Sequence, residues 1–360
     1  MAVESEPQSA AEDFSQIELA LAVRNHGLPL ETLRYDITPL GLHYLLTHFD
    51  IPHVDVSGWR LELGGAVSNP LSLSLDEIKE RPKTSVAVTL ECAGNGRARL
   101  TPRPLSQPWL DEAIGHAEWT GTPLAPLLEE AGFEDAAVEV LFTGLDRGVQ
   151  GEVEHAYERS LPLDEARRPE ILLAYEVNGQ TLPPQHGFPL RLIVPGWYGM
   201  THVKWLERIT ALTEPFEGYQ QMKQYRTKQS EDELGEPVTR MLPRSLMIPP
   251  GIPDFPERHR FLEPGPCLLE GRAWSGWAPV ERVEVSTDGG ETWADAELDD
   301  PVGDFGWRRW SYRWADVQPG EHELLCRATD GAGNTQPDEG DWNHGGYVNN
   351  AVQRVAVTVR

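Results

Sequence analysis

Short apolar segments with strand character alternate with polar turns through the first half of the chain. Runs rich in β-branched and other apolar residues predict strands at 86–91, 138–143 and 171–177. A helix is predicted at about 123–131, where Pro123 falls in a first turn that tolerates proline. Short helices and strands without long crossover helices predict an α+β domain and not a doubly wound sheet.

The pattern changes in the second half of the chain. Residues 214–258 are rich in charge, proline and glutamine and show little periodicity, which predicts a linker or arm. Residues 280–286 alternate with period two and then meet the hairpin turn 287–290. Several short strands with this punctuation predict an all-β, immunoglobulin-like sandwich over residues 259–360.

Chain length supports a division into two domains. The 360 residues exceed what one hydrophobic core usually holds. We therefore assign residues 1–20 to a disordered leader and residues 21–213 to the α+β domain, ahead of the linker and the sandwich. The acidic start of the leader has neither a basic n-region nor an apolar h-region, which predicts a cytoplasmic protein.

Charge and hydropathy exclude several classes of partner. The formal net charge of −26 argues against a nucleic-acid partner or an anionic membrane surface. No apolar run approaches the roughly eighteen residues of a membrane span. An anionic substrate would need a local basic pocket set against the overall negative field.

The three cysteines, Cys92, Cys267 and Cys326, form no close CxxC pair. This spacing excludes the usual structural zinc sites and c-type haem attachment. Cys267 and Cys326 lie in two β-like runs and could face each other across a sandwich. In a reducing compartment two separate thiols are favoured over a disulfide, but the sequence leaves their pairing open.

Cys92 lies where a predicted strand opens into the turn Gly94-Asn95-Gly96, with Arg97 just beyond. A nearby guanidinium and unpaired turn amides would favour the thiolate, which attacks electrophiles or binds soft metals. The alternative is a small apolar cysteine packed at a strand end. Local features favour neither interpretation.

A second cluster of candidate side chains lies downstream, around a strand and a glycine-rich turn. Its members are His186, Arg191, His202 and Lys204. Cationic and proton-donating side chains in an otherwise acidic chain suit a phosphate or a similar anion. The alternative is a solvated basic loop. No Gly-x-Ser-x-Gly elbow and no complete phosphate-binding glycine motif accompany the cluster.

Three segments, Leu90–Arg97, Leu172–Gly179 and His186–Arg191, together resemble the sulfite oxidase family of molybdenum enzymes. The first resembles the family's cysteine loop, and the other two resemble its substrate tyrosine and pterin-binding segment. The match continues through residues 202–206. Segments similar to the family's immunoglobulin-like dimerisation domain are 273–276, 286–293 and 346–350. The resemblance spans roughly residues 35–360, and its blocks follow the family's order.

The resemblance implies a molybdenum–molybdopterin cofactor, with Cys92 as the protein thiolate on the metal. It implies that Tyr175 is the active-site tyrosine and that Arg97 holds the substrate oxyanion. Without the resemblance, Tyr175 would be interpreted as a core aromatic of a strand. The residues implied in cofactor binding are His48, His186, Arg191, His202 and Lys204.

The chain departs from the family at one substrate position. The family carries an Arg-Asn-His triplet shortly after a Thr-Pro, and here that place holds Leu46-Thr47-His48. His48 preserves the cofactor contact, but Leu46 removes an arginine. Arg24-Asn25-His26 has the right letters but precedes the Thr-Pro, so we treat it as a coincidental match. Each lost charge-assisted hydrogen bond weakens anion binding by about 1.5–3 kcal/mol, which favours a neutral or larger substrate over sulfite. Whether a C-terminal arginine reaches the pocket stays open.

The resemblance implies oxygen-atom transfer, with oxidation of sulfite or a related sulfur compound as the first hypothesis. The substrate would be a small oxyanion or sulfur-containing molecule, and electrons would pass to a separate acceptor such as a cytochrome. A homodimer is implied by the dimerisation domain. The second hypothesis is a molybdenum-dependent reductase of nitrate or a sulfoxide, and the third is a non-enzymatic immunoglobulin-like binding scaffold.

Overall fold

Two β-rich units form the chain, which a computed structural model describes over residues 14–360. The helices are α1 (Gln16–Ala22), α2 (Leu75–Lys79), α3 (Leu124–Ala131), α4 (Leu163–Ala166) and α5 (Tyr219–Met222). Single 3-10 turns lie at Leu30–Arg34, Leu40–Leu42, Arg97–Arg99, Pro184–His186 and Gly199–Thr201. None of the helices in the described residues has the length and apolar character that a membrane crossing requires.

Ten strands belong to the first unit. They are β1 (Leu61–Gly65), β2 (Leu71–Leu73), β3 (Thr84–Glu91), β4 (Ile114–Pro123), β5 (Glu139–Gln150), β6 (Val153–Pro162), β7 (Leu172–Val177), β8 (Gln180–Thr181), β9 (Arg191–Ile193) and β10 (Leu206–Leu212). One sheet has the order β2-β1-β10-β5-β6 and the other the order β3-β4-β7-β8, with β9 paired to β7. Both sheets pack against α2 and α3 around one core, to which Leu61, Phe142 and Leu173 contribute.

The short helices begin and end where local chemistry dictates. Ser74 caps α2, and its side chain accepts a hydrogen bond from the backbone of Glu77, whose carboxylate returns to the Ser74 backbone. Helix α3 ends at Gly132, which has φ of +65°, a conformation that glycine adopts without steric strain. The helix predicted at 123–131 is confirmed, and with it the α+β character of the first unit.

Twelve strands follow in the second half of the chain. They are β11 (Arg226–Thr227), β12 (Glu236–Pro237), β13 (Arg244–Met247), β14 (Ile252–Pro253), β15 (Arg260–Leu262), β16 (Cys267–Trp274), β17 (Val280–Ser286), β18 (Ala294–Asp295), β19 (Glu297–Leu298), β20 (Arg308–Trp314), β21 (Gly320–Asp330) and β22 (Gln353–Val359). A four-stranded sheet, β13-β16-β20-β19, faces a six-stranded sheet, β14-β15-β22-β21-β17-β18. The predicted all-β sandwich is confirmed. Cys267 and Cys326 lie in opposite sheets as free thiols.

Two predicted boundaries are wrong. Strands β13 and β14 pair with β16 and β15, so the second part of the predicted linker 214–258 belongs to the sandwich. Helix α1 occupies the end of the predicted leader, where Ser15 and Glu18 form a capping box. The Glu18 carboxylate accepts a hydrogen bond of 2.9 Å from Arg103, which fixes this helix to the first unit. Residues 1–13 of the leader lie outside the described residues.

Candidate active site

An inner cavity of about 630 Å³ opens beside the end of β3. Its lining brings together six of the eight predicted site residues, namely Cys92, His48, His186, Arg191, His202 and Lys204. An outer cavity of about 1010 Å³ shares Cys92 and His48 with the inner one and adds Arg97. The thiol therefore lies in the wall between a deep cavity and a wider one.

Backbone hydrogen bonds hold Cys92 in place. Its N–H donates to the Ala113 carbonyl at 2.9 Å, and its own carbonyl accepts from Asn95 N–H at 2.9 Å. Glycine at position 94 leaves room for the Arg97 side chain, because a Cβ there would lie 2.6 Å from the guanidinium. The turn thus lets a guanidinium lie against the backbone two residues after the thiol.

Burial and charge act in opposite directions on the Cys92 thiol. Burial raises the pKa of Cys92, and the positive charge of Arg97 lowers it by less. The expectation that local charge would favour the thiolate is therefore wrong in its net direction. A thiolate at this position needs a further positive charge inside the cavity, which a bound metal ion would supply.

Arg97 is anchored across the boundary between the two units. Its Nε donates to the Gly345 carbonyl at 2.8 Å, and its Nη1 donates to the Gln107 carbonyl at 3.2 Å. The guanidinium also lies 5.1 Å from the Tyr347 ring centroid. Because the second unit supplies two of these contacts, the position of Arg97 depends on how the sandwich docks.

The histidines of the inner cavity are neutral. Burial lowers the pKa of His48 to about 3 and that of His186 to about 2, and neighbouring cations add to both effects. His48 Nε2 lies 2.5 Å from the Tyr225 hydroxyl, and the His186 ring packs edge-on against His43 at 5.7 Å. Neutral imidazoles offer both a donor and an acceptor to a polar cofactor.

His202 lines the cavity, but both of its ring nitrogens bond to the backbone. Nδ1 accepts from Val194 N–H at 3.1 Å, and Nε2 faces the Trp197 carbonyl at 3.1 Å. Arg191 donates to the His202 carbonyl at 3.2 Å and to the His186 carbonyl at 3.0 Å. The ring of His202 therefore positions the chain around Arg191, and its predicted direct contact with a cofactor stays a prediction.

Lys204 extends along the floor of the inner cavity. Its Nζ donates to the Leu46 carbonyl at 2.9 Å and to the Gln185 carbonyl at 3.2 Å. Burial lowers the pKa of Lys204 to about 7, whereas burial raises the pKa of the nearby Asp146 to about 7. An anionic group bound here would restore the positive charge on the ammonium group.

Tyr175 does not line either cavity, and its predicted catalytic role is wrong. Successive side chains of β7 point to opposite faces, so Leu173 and Tyr175 enter the main core while Ala174 faces the other side. The Tyr175 hydroxyl has no hydrogen-bond partner in the described residues, and Lys79 Nζ lies 5.8 Å from its ring. Tyr175 is therefore an aromatic residue of the main core, as its position in a strand predicts without the family resemblance.

Tyr157 takes the place in the inner cavity that the sequence assigned to Tyr175. The pairing of β5 with β6 shifts between Thr143 and Arg147, and the extra residues of this bulge lie opposite Tyr157. The Tyr157 hydroxyl donates to the Met200 carbonyl at 2.7 Å, and burial raises its pKa. No periodicity in the sequence marks this residue, because the strand pairing that positions it is irregular.

A buried ion-pair network lies behind the cysteine loop and was also missed. Arg244 donates to Glu91 at 3.0 Å and to Asp111 at 2.7 Å. Asn95 and Trp274 donate to the same Glu91 carboxylate at 3.0 and 2.9 Å. The network joins the loop after β3 to strands β13 and β16 of the sandwich, so the second unit helps to hold the thiol in position.

Unsatisfied polar atoms show what the inner cavity can hold. His43 Nε2, Asp146 Oδ1 and Arg191 Nε are buried and have no partner among residues 14–360. Buried polar groups are nearly always hydrogen-bonded, so unpartnered atoms around one cavity indicate a polar ligand. Cationic Arg191 and Lys204 favour an anionic group on that ligand. The residues present therefore fit a pterin with a phosphate tail.

Comparisons with known proteins agree with this chemistry. Residues 48–220 match the family described as "Oxidoreductase molybdopterin binding domain", and residues 256–360 match "Mo-co oxidoreductase dimerisation domain". The mitochondrial sulfite oxidase of Mus musculus is 38% identical over 341 residues, with 90% of this chain and 62% of that protein covered. The chain thus spans about three fifths of this relative.

Three further proteins match most of this chain, two by sequence and one by structure. The sulfite oxidase of Gallus gallus is 35% identical, with 88% of this chain and 72% of that protein covered. Nitrate reductase [NADH] 1 of Arabidopsis thaliana is 33% identical, with coverage of 93% and 40%. The crystal structure of the sulfane dehydrogenase SoxCD from Paracoccus pantotrophus superposes with a TM-score of 0.79 at 25% identity, covering 100% of this chain and 95% of that one. By its sequence matches, its fold and the residues of its cavity, the chain belongs to the sulfite oxidase family of molybdopterin-dependent oxidoreductases.

Proposed function

We propose that the chain oxidises sulfite or a related sulfur oxyanion with a molybdopterin cofactor and passes the electrons to a separate acceptor. The observation that carries this proposal is the position of Cys92. It is the one cysteine of the chain that lines the cavities, and it separates the unpartnered polar atoms of the inner cavity from Arg97 of the outer one. The sulfur-oxidising relatives support the choice of substrate.

The inner cavity would hold the pterin and its phosphate. His48 and His186 offer neutral ring nitrogens, while Arg191 and Lys204 offer positive charge. The bound cofactor supplies two-electron oxygen-atom transfer, with Cys92 as the protein thiolate on the metal. Backbone carbonyls accept hydrogen bonds from both Arg191 and Lys204, and these bonds would keep the two cations in a fixed orientation toward the cofactor.

The side chains around the thiol would act on the substrate. Arg97, which is 4% exposed, would hold one oxyanion edge by charge-assisted hydrogen bonds in a site of low dielectric. The Tyr157 hydroxyl, oriented by the Met200 carbonyl, would lie beside the reacting atoms and keep its proton because its pKa is raised. Burial of both side chains excludes bulk water from the reacting edge.

The nitrate reductase relatives favour a second candidate, in which the same site runs as a reductase. Nitrate, like sulfite, is a small oxyanion, so the guanidinium of Arg97 could hold it by the same charge-assisted hydrogen bonds. The reaction direction separates the two candidates, because an oxidase reduces an electron acceptor while a reductase consumes a reduced donor.

One preparation tests these candidates together. The chain is expressed in a host that makes the cofactor, and molybdenum is measured by elemental analysis and the pterin by fluorescence. Sulfite with ferricyanide then reports oxidation, and reduced viologen with nitrate or a sulfoxide reports reduction. We expect about one molybdenum per chain and sulfite-dependent reduction of ferricyanide. Protein that contains a full complement of molybdenum but does not oxidise sulfite would show that sulfite is not the substrate. Protein that contains neither metal nor pterin would favour the binding-scaffold hypothesis.

The proposal also includes the oligomeric state, the electron acceptor and the location of the protein. The match of residues 256–360 to a dimerisation domain supports a homodimer, which sedimentation of the purified protein tests. The electron acceptor is proposed to be a cytochrome, since an acidic surface attracts basic partners. The cytoplasmic location stays a prediction.

A further inference from the structure

Leu46 places an apolar side chain where the sequence resemblance implies the guanidinium of a substrate-binding arginine. The residue lines both cavities, and its carbonyl accepts from Lys204 at 2.9 Å. An oxyanion beside Cys92 would therefore meet Leu46 on one side and Arg97 on the other. A single guanidinium is a weak clamp for a doubly charged anion.

The triplet Arg24-Asn25-His26, treated above as a coincidental match, packs directly against this segment. His26 and Leu45 exchange two backbone hydrogen bonds of 3.1 and 2.8 Å. The Asn25 side chain accepts from Thr47 N–H at 2.8 Å and donates to Gln107 at 3.0 Å. These bonds fix the triplet beside residues 45–47, and Arg24 and Leu46 both line the outer cavity.

Arg24 projects into the outer cavity, where its side chain is exposed. It makes no ion pair and no side-chain hydrogen bond with any of residues 14–360, whereas Arg97 donates to two carbonyls. The positive charge of Arg24 contributes to the lowered pKa of His48, a residue that lines both cavities. Its donors are therefore free to bind a ligand.

The outer cavity has an unusual charge balance for this chain. Its described lining contains two guanidinium groups, those of Arg24 and Arg97, and no carboxylate. The whole chain has 57 acidic and 31 basic residues. A large cavity whose charged side chains are all positive therefore differs in charge from the chain as a whole. No arginine of the predicted sandwich domain, residues 259–360, lines this cavity. The cavity attracts anions from within a repulsive overall field.

We infer that Arg24 supplies, from a different point in the chain, the substrate guanidinium that Leu46 lacks. Arg24 and Arg97 would clamp a small dianion of the sulfite or sulfate type between them, with Arg24 as a specificity-determining residue. The inference rests on the proposed function for its substrate class. It corrects the expectation that the loss at position 46 favours a neutral substrate.

The test compares four proteins by two measurements. They are the wild type, Arg24→Ala, the double variant Arg24→Ala with Leu46→Arg, and the control Arg60→Ala, which removes an exposed positive charge outside both cavities. The first measurement is sulfite turnover with ferricyanide as acceptor. The second is calorimetric titration with sulfate, a dianion that binds without turnover.

We expect Arg24→Ala to raise the KM for sulfite and the Kd for sulfate by about 10- to 100-fold, the effect of one lost charge-assisted bond. The kcat should change less than about threefold, because Arg97 and the cofactor site are intact. The double variant should recover most of both losses, since the guanidinium returns to the same edge of the cavity. Arg60→Ala should match the wild type.

Several outcomes would overturn the inference. These are equal sulfate affinity in Arg24→Ala and the wild type, no sulfate binding by the wild type, or a fall in kcat at unchanged KM. A wild type that binds sulfate through Arg24 but does not oxidise sulfite would support the anion clamp and reject the proposed substrate. The experiment therefore distinguishes failure of the Arg24 inference from failure of the proposed function.

Discussion

Cys92 shows how burial and charge compete at a single side chain. Its thiol is 6% exposed, and desolvation raises its pKa more than the neighbouring guanidinium lowers it. Burial thus favours the neutral thiol as long as Arg97 is the nearest cation. A metal ion in the cavity would add positive charge and favour the thiolate, and Cys92 is proposed to be the ligand that would hold it.

Replacing Cys92 by serine should abolish turnover and leave the fold intact. An alkoxyl side chain is a poor ligand for a soft metal, while the change in unfolding free energy should stay near 1 kcal/mol because the volumes are similar. Turnover, molybdenum content and urea denaturation are measured together. Cys326→Ser is the matched control, because Cys326 is also buried but lies in the sandwich core. Full activity of Cys92→Ser would show that the ligand assignment is wrong.

The two tyrosines provide a paired test at the same scale. Tyr157→Phe removes a hydroxyl that lines the inner cavity and should lower kcat/KM about 10- to 100-fold, as expected for one positioned hydrogen bond. Tyr175→Phe removes a buried hydroxyl without a partner, so activity should change less than about twofold and stability should hold or rise. Steady-state kinetics with sulfite and thermal unfolding check both. A larger loss for Tyr175→Phe would restore the original assignment.

At the scale of elements, one strand of the second unit supports the site in the first. Strand β13 places Arg244 between Glu91, at the end of β3, and Asp111. The Arg244 side chain is 2% exposed, as are both carboxylates. Buried ion pairs of this kind contribute little to stability relative to apolar packing. The loss of one partner is costly, however, because it leaves the other charges buried and unpaired.

Arg244→Met should therefore lower the free energy of unfolding by about 3–5 kcal/mol. It should also reduce molybdenum content, since the loop that carries Cys92 loses its support. Urea denaturation with elemental analysis measures both effects. Arg282→Met is the control, because Arg282 is 54% exposed and its ion pairs should contribute less than about 1 kcal/mol. Similar stability losses in the two variants would contradict the proposed support.

At the scale of the whole molecule, buried neutral histidines make stability depend on pH. Burial lowers the pKa of five histidines to between about 2 and 4: His43, His48, His116, His186 and His202. In the unfolded chain each titrates near about 6.5, so between that pH and about 4 the unfolded state binds more protons. Stability is therefore fully present above about pH 6.5 and is lost as the pH falls.

The expected slope approaches about 1 kcal/mol per pH unit for each histidine. Thermal unfolding between pH 7.5 and pH 5.0 should show a steep fall in Tm. His116→Asn should reduce the slope by roughly one proton, because His116 lies away from both cavities, stacked on Trp307. A flat Tm over this range would contradict the neutral state of these rings.

Net charge predicts opposite salt dependences for two electron acceptors. With a basic cytochrome, kcat/KM should fall roughly tenfold between low and moderate ionic strength, because salt screens the attraction to a chain of charge −26. With ferricyanide, an anion, kcat/KM should rise. Stopped-flow rates at several salt concentrations measure both. A fall for both acceptors would assign the effect to binding of the substrate anion and not to the acceptor.

The sequence by itself determined the features that depend on neighbouring residues. The cysteine turn, the capped helix α2 and the alternating strands of the sandwich each follow from patterns within about ten residues, because turns, caps and pleats are local structures. The order of the motifs was enough to identify the family, and six of the eight predicted site residues do line one cavity.

Only the tertiary structure decided the features that depend on distant parts of the chain. A bulge in the pairing of β5 with β6 placed Tyr157 and not Tyr175 in the cavity. Pairing of His26 with Leu45 brings residues 24–26 beside residues 45–47, and packing of the sandwich buries Arg244 behind Cys92. The β5–β6 register shift lies between pairs of residues 15 and 9 apart, while the other two contacts join residues 19 and 153 apart, and no pattern of apolar and polar positions encodes any of them.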